Sequence, residues 1–241
     1  VEDILKGMTS IVYKIKVDGE YYALKKKRKM SLVRNIDTQL AFLNEIQRRR
    51  DFEELKKTSP QLYNRISKTI FASLNHGFIL SPWITGEYVT LNNRRDIYEN
   101  LFDTFYLMEC NGFFEWDLCS DNLLLVDNNQ VMLFDFGCTY LYNPLSEYNS
   151  VGKKEPIFHS AERFETRMLM TYFLINKDKM TEDMILCEYS TEKEIALKYY
   201  MKRLRWLEEH RADDDILSWI KGFMEHWEWG LRNNDSLKRL Y

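Results

Sequence analysis

The sequence predicts an α+β protein in two parts, strand-rich first and helical afterwards, and three observations carry that prediction. Residues 11–17 and 20–25 alternate apolar and polar side chains around Asp18-Gly19, the strongest short hairpin signal. Beyond Gly86 the apolar residues recur mainly at helical spacing. Two short apolar runs within that second part, 123–126 and 131–134, are joined by Asp127-Asn128-Asn129 and predict a buried hairpin. The expected organisation is a small sheet with one helix over residues 1–85 and a mostly helical part over 86–241.

Taken in order, the first hairpin is followed by a predicted helix from Asp37 to about Leu55, where Leu40, Leu43 and Ile46 recur at helical spacing. The charges between them, Arg48-Arg49-Arg50 included, read as a solvated face, with docking of an acidic partner or a phosphate as the alternative. Ser59-Pro60 ends that helix, and residues 65–73 and 78–84 flank Asn75-His76-Gly77 as a second hairpin. Ile97, Leu101, Phe105 and Met108 mark a helix stopping at Asn111-Gly112. Further helices are expected over 160–175, 192–209 and 214–232. In the last of these, Ile216, Ile220, Phe223, Met224, Trp227 and Leu231 form one stripe that reads as core. Trp206, Trp219, Trp227 and Trp229 fit core packing better than an acceptor pocket.

With 241 residues, 45% hydrophobic and 29% charged, the chain can bury one large core or two small ones. A net charge of −3 gives no global pull toward nucleic acid or an anionic membrane, and no nucleic-acid partner is expected. Cys110, Cys119, Cys138 and Cys187 lack C-x-x-C spacing, and with His76, His159, His210 and His226 they make no zinc pattern, so they read as reduced thiols. No apolar run approaches the roughly 18 residues of a membrane span, and no signal peptide opens the sequence. A cytoplasmic location is the default expectation, with secretion as an effector an open alternative. Beginning at Val1 rather than Met, the sequence leaves room for an upstream segment.

The chemistry is concentrated between Asp117 and Gly137. Asp117-Leu118-Cys119-Ser120-Asp121-Asn122 is followed by the predicted hairpin and then by Asp135-Phe136-Gly137. An Asp and an Asn at that spacing arise by chance about once in such a chain, but Asp-Phe-Gly after an apolar strand, one hairpin further on, is far more specific. The combination resembles the catalytic loop and magnesium-binding motif of the protein-kinase-like superfamily. A merely structural reading, in which Asp117 caps a turn and Asp-Phe-Gly ends a strand, is the alternative.

The resemblance implies a bilobal kinase-like fold and transfer of a phosphoryl group from ATP with magnesium ions. Magnesium favours hard oxygen ligands and keeps several waters, which suits one carboxylate, Asp135, and one amide oxygen, Asn122, beside the phosphates. Asp117 would accept or orient the proton of the acceptor hydroxyl. Upstream, Tyr22-Ala23-Leu24-Lys25 resembles the strand whose lysine pairs with the α- and β-phosphates, although Lys25 also opens a basic run of the kind that is usually solvated. Alternation puts Lys25 on the face of Ala23 and opposite Lys26. Glu45, twenty residues on, stands where the family's partner carboxylate would, with Glu53 the poorer candidate.

Lys6-Gly7-Met8-Thr9-Ser10 occupies the place of the glycine-rich loop, and its Gly-x-Thr-Ser form looks more like aminoglycoside and choline kinases. Gly7, Thr9 and Ser10 would then contact phosphate, or be ordinary turn residues. By the same resemblance, the Pro82 carbonyl and the Ile84 amide would meet adenine. The likeness runs from about Leu5 to Tyr142. It departs from the family at Glu115 and Trp116, which replace the His and Arg before the catalytic Asp, and at Cys119, where protein serine/threonine kinases carry lysine.

Three readings of the acceptor follow. A small-molecule or glycan hydroxyl is favoured by the Gly-x-Thr-Ser loop and Cys119. An atypical protein kinase, such as a bacterial effector, is favoured by the thirty or so residues between Gly86 and Asp117, which leave little room for an acceptor-binding insertion. A pseudokinase binding module is opposed by the joint presence of Lys25, Glu45, Asp117, Asn122 and Asp135, and nucleotidyl transfer is a further variant. The oligomeric state is left open.

Overall fold

Asp18 and Gly19 adopt φ of 50° and 90°, the left-handed region that a two-residue hairpin turn requires. They are seen in a computed structural model that describes residues 2–33, 35–92, 94–126 and 130–241. The predicted turn at Asp127-Asn128-Asn129 therefore lies outside the described residues. By its contacts the chain divides into two compact units, Val1–Tyr88 with Asp121–Tyr140, and Val89–Ser120 with Leu141–Tyr241.

In the first unit, β1 (Glu2–Lys6), β2 (Ser10–Val17), β3 (Glu20–Lys27), β4 (Phe71–Ser73) and β5 (Phe78–Pro82) form an antiparallel sheet in the order β1-β2-β3-β5-β4. The expected strand over 65–73 shrinks to three residues because its first part serves other strands. Leu133 donates to the Arg65 carbonyl and Ser67 donates to the Leu133 carbonyl, each at 2.8 Å, in a bridge centred on Ile66. Leu133 ends β9 (Gln130–Leu133), which pairs with β8 (Leu123–Val126), and β8 pairs with β6 (Glu87–Tyr88), a short strand without a sequence signal. These pairings are why residues 121–140 group with the first unit.

Helix α1 (Ile36–Thr58) begins where Asn35 accepts from the Thr38 amide at 2.8 Å and ends before Ser59-Pro60. Its buried positions are Phe42, Glu45, Arg48, Arg49, Phe52 and Lys56. Leu40 and Leu43, expected to face the core, are 50% and 40% exposed, and Ile36 is 73% exposed. The face assignment thus fails at Leu40 and Leu43, while Ile46 is half-buried and Arg50 is exposed as expected. Arg48 and Arg49 are buried rather than solvated; Arg49 is satisfied by polar groups packed against the helix, and Arg48 pairs with Asp51 of the same helix at 2.8 Å.

In the second unit, α2 (Arg95–Cys110) ends at Asn111-Gly112 as expected. Gly112 takes φ of 77°, and a Cβ there would lie 2.7 Å from the Tyr142 carbonyl oxygen. Strand β7 (Phe113–Glu115) follows. The predicted helix over 160–175 is broken into α3 (Ser160–Phe164), a π turn (Glu165–Leu169) and α4 (Met170–Ile175). Helix α5 (Glu182–Glu209) starts ten residues before the expected 192, capped by Thr181, whose hydroxyl accepts from the Met184 amide at 3.3 Å. Helix α6 (Asp214–Gly230) buries Ile216, Ile220, Met224 and Trp227. A short α7 (Asn234–Leu240), capped by Asn233, was not expected.

Polar groups run through this second core. Arg203, 1% exposed, lies 3.1 Å from Glu109 and donates to the Tyr142 hydroxyl at 3.0 Å, while Ser160 donates to Glu109 at 2.8 Å. Trp227 is buried and the other three tail tryptophans are half-buried, and Trp219 donates to the Pro156 carbonyl at 2.8 Å. Among the described residues no helix is long and apolar enough to cross a membrane.

Candidate functional site

Lys25 projects from β3 with its side chain 12% exposed, while Lys26 and Lys27 are exposed. Its ammonium lies 2.6 Å from Glu45 Oε2 and 2.9 Å from Asp135 Oδ2. Burial works against the charge on Lys25, but Asp135 and Glu45 outweigh it and Arg49's opposing charge, so the pKa rises above the ordinary lysine value. Burial likewise works against ionisation of Asp135. The Lys25 charge and hydrogen bond, the Gly137 amide and the Arg49 charge overcome it, and the pKa falls below the ordinary carboxylate value. The side chain of Asp135 remains 35% exposed.

Helix α1 holds Phe136, Gly137 and both flanks of the Asp-Phe-Gly segment. Asn44 donates to the carbonyls of Gly137 and Thr139 at 3.0 and 2.8 Å. Arg49 donates from Nε to Glu45 Oε1 at 2.9 Å and from Nη2 to the Phe134 carbonyl at 2.6 Å. Its remaining donor, Nη1, reaches the hydroxyls of Ser67, Thr69 and Ser81 at 3.3–3.4 Å. Phe136, fully buried, packs on Phe52 with ring centroids 4.8 Å apart and lies 5.1 Å beneath the Arg49 guanidinium. The Gly137 amide donates to Asp135 Oδ1 at 3.1 Å, which fixes the carboxylate's rotamer.

Glu53 is engaged elsewhere, accepting from Lys56 and from the Thr69 amide at 2.8 Å each, which leaves Glu45 as the partner of Lys25. Asn122 and Asp135 leave the same end of the β8–β9 hairpin. Leu123 pairs with Leu133, and the Phe134 amide donates to the Asn122 carbonyl at 3.3 Å. Asn122 and Asp135 therefore stand on adjoining backbone, and an amide oxygen with a carboxylate is the kind of donor pair that a hard cation takes. Among the described residues no three His, Cys, Asp or Glu side chains gather into a protein-only metal site.

The other predicted residues of the first unit lie on neighbouring elements. Gly7 and Thr9 sit in the β1–β2 turn, whose carbonyls are held from the β3–α1 connection. Arg28 donates to Gly7 and Thr9 at 2.9 Å each, and the Leu32 amide donates to Met8 at 3.0 Å. Gly7 lies outside the left-handed region, and a Cβ there would meet Ser10 O at 3.4 Å, so backbone geometry does not demand glycine. Ser10 is buried at the start of β2, opposite Lys27. Pro82 faces Tyr22 at the end of β5. Because the Trp83 amide donates to Tyr21 at 3.0 Å, Pro82 occupies a non-hydrogen-bonded position with its carbonyl directed away from β3. Ile84 follows, half-buried.

Asp117 belongs to the second unit and is 26% exposed. Its amide donates to Glu115 Oε1 at 2.7 Å, so the glutamate two residues earlier orders the turn. Trp116 donates to Ser150 at 2.8 Å and lies under the Arg163 guanidinium. Arg167, on the π turn, donates to Asp117 Oδ1 from Nε at 3.0 Å and from Nη2. Asn44 and Arg167 have no place in the sequence reading, which takes Arg49 as one of three solvated or docking arginines. Arg49 had one usable signal, its place four residues after Glu45 on the same helical face.

No protein-family model matches the sequence, and no curated protein matches it.

Proposed function

We propose that the chain is an ATP- and magnesium-dependent phosphotransferase with a bilobal kinase-like fold, moving the γ-phosphoryl group to a hydroxyl of a small molecule or glycan. The observation that carries this reading is one ammonium, Lys25, gripped at once by Glu45 of α1 and by the carboxylate of Asp-Phe-Gly, 110 residues away. A structural ion pair needs one carboxylate. Two around a single partly buried lysine, one of them leaving the hairpin end that Asn122 enters, suit a site that exchanges a bond for a metal-bound polyphosphate.

In this reading Lys25 binds the α- and β-phosphates, with Glu45 holding it in place and Arg49 holding Glu45. Asp135 and Asn122 would hold magnesium, which when bound neutralises charge on the phosphate oxygens. Asp117 takes the proton of the acceptor hydroxyl as its oxygen bonds to phosphorus, and ADP departs with the electrons of the broken phosphorus–oxygen bond. Between Gly86 and Asp117 the described elements are β6, α2 and β7 alone, an economy that supports a protein hydroxyl as the second reading.

Incubation with γ-labelled ATP, with the chain alone, a protein mixture or a metabolite extract, tests the reading. Labelling is expected, with Asp117→Ala retaining nucleotide binding and losing turnover, and Asp135→Ala weakening magnesium-dependent binding. Failure to label anything would favour a binding module without catalysis, and label only from the α-phosphate would replace phosphoryl with nucleotidyl transfer.

A further inference from the structure

Asp117 is oriented from outside its own loop. Both Nε and Nη2 of Arg167 converge on one carboxylate oxygen, Oδ1, while the Asp117 amide is held by Glu115. Arg167 is carried by a π turn, an irregularity that inserts one residue into a helix and occurs often at functional sites. That turn is pinned from the core. Glu165, two residues earlier, pairs with Lys193, whose side chain is 2% exposed and whose ammonium lies 4.3 Å from the Trp227 ring centroid. The Arg167 side chain itself is 51% exposed, so its ion pair contributes little to stability, and a buried anchor beneath an exposed guanidinium serves aim more than cohesion.

We propose that Arg167 is a positioning residue for the transfer step, fixing the Asp117 carboxylate in the rotamer that receives the acceptor proton. This rests on the phosphotransferase reading. Arg167 makes and breaks no bond in the step. It acts through Asp117, and its loss costs orientation rather than substrate affinity.

Release of inorganic phosphate from magnesium-ATP by the full chain, with water as acceptor, supplies the assay for Arg167→Ala, Arg167→Lys, Asp117→Asn and the double variant Arg167→Ala/Asp117→Asn. Arg167→Ala is expected to lower kcat about 100-fold with KM for ATP and the melting temperature unchanged. Arg167→Lys, or guanidinium ion added to Arg167→Ala, should restore part of the rate, and the double variant should be no slower than Asp117→Asn. If Asp117→Asn is inactive while Arg167→Ala keeps the wild-type rate, or if the two losses add in the double variant, Arg167 has no such role and the phosphotransferase reading stands. If wild type and Asp117→Asn release phosphate equally, or if there is no release and γ-label reaches no added protein or metabolite, the phosphotransferase reading fails and takes this inference with it; where label reaches an acceptor without release, the same variants are compared on that labelling.

Discussion

Replacing Arg49 by Met keeps an aliphatic stem against Phe136 and removes the guanidinium that binds Glu45 at 2.9 Å and the Phe134 carbonyl at 2.6 Å. The contacts to Ser67, Thr69 and Ser81, at 3.3–3.4 Å, are long and contribute little. What remains is a buried glutamate with only Lys25 against it and a carbonyl deprived of its charged donor. Breaking a buried ion pair from one side costs about 3–5 kcal/mol, and the surviving Lys25 contact places this case near the lower figure. Since about 1.4 kcal/mol is tenfold, amide exchange in α1 should speed up about 100-fold where it proceeds through unfolding of the first unit. Arg50→Ala, one residue away and exposed, should change it by less than about 0.5 kcal/mol. Hydrogen-exchange mass spectrometry on peptides covering residues 36–58 reads both. A cost below about 1 kcal/mol for Arg49→Met would refute the claim that this arginine organises the site.

The pH dependence should differ between the units. In the first, the lowered Asp135 pKa contributes stability above about pH 4 and the raised Lys25 pKa contributes it below about pH 10, so urea midpoints for α1 should be flat from about pH 5 to 9. In the second, burial pushes the His159 pKa well below its ordinary value, aided by Lys193, Arg203 and Arg163. Its Nδ1 accepts from the Glu162 amide at 3.3 Å and lies 2.8 Å from the Tyr200 hydroxyl, an arrangement that suits the neutral ring. The unfolded state binds the extra proton, so His159 should contribute a loss below about pH 6.5 of up to 1.4 kcal/mol per pH unit, against the opposite slope from buried Glu109, Glu165 and Glu192, whose pKa values are raised; the difference between wild type and His159→Gln isolates the histidine's share. Gly112→Ala combines φ of 77° with a Cβ 2.7 Å from a carbonyl, whereas Gly19→Ala, at φ of 90°, meets nothing within 4 Å. Melting should show a loss of about 1 kcal/mol at Gly19 and of 2 or more at Gly112, and equal losses would mean that the Tyr142 approach relaxes freely.

The hairpin at Asp18-Gly19 and the end of α2 at Asn111-Gly112 were legible because each depends on a local rule, a positive φ that few residues accept. The start of α5 was not, since the apolar residues of its first turns, Met184, Ile185, Leu186 and Cys187, run consecutively instead of at helical spacing, and the cap is a single Thr181. The π turn left no trace either. Nothing in Glu165-Thr166-Arg167-Met168-Leu169 distinguishes it from a regular helix, because the insertion is fixed by Glu165 reaching Lys193 on α5, a contact between residues 28 positions apart. Within the site, Lys25, Glu45 and Asp135 could be named as separate residues from the resemblance, but their meeting is a property of packing.

Helix α1 shows why the sequence misled about its own core. Residues 42, 45, 49, 52 and 56 step by 3, 4, 3 and 4, the spacing of a buried helical stripe, yet three of the five are charged. A rule that seeks apolar periodicity therefore picked Leu40 and Leu43, which face solvent. The charged members of the true stripe each have a partner at the packed face: Glu45 has Lys25, Arg49 has the Phe134 carbonyl, and Lys56 has the Ser67 carbonyl at 3.0 Å. Burying them unpaired would be prohibitive, so the stripe is stable only when β3, the segment after α1 and the Asp-Phe-Gly strand end are all in place. Charges at core positions of a helix are thus a signal in their own right, marking a face that folds onto a polar site rather than onto an apolar layer.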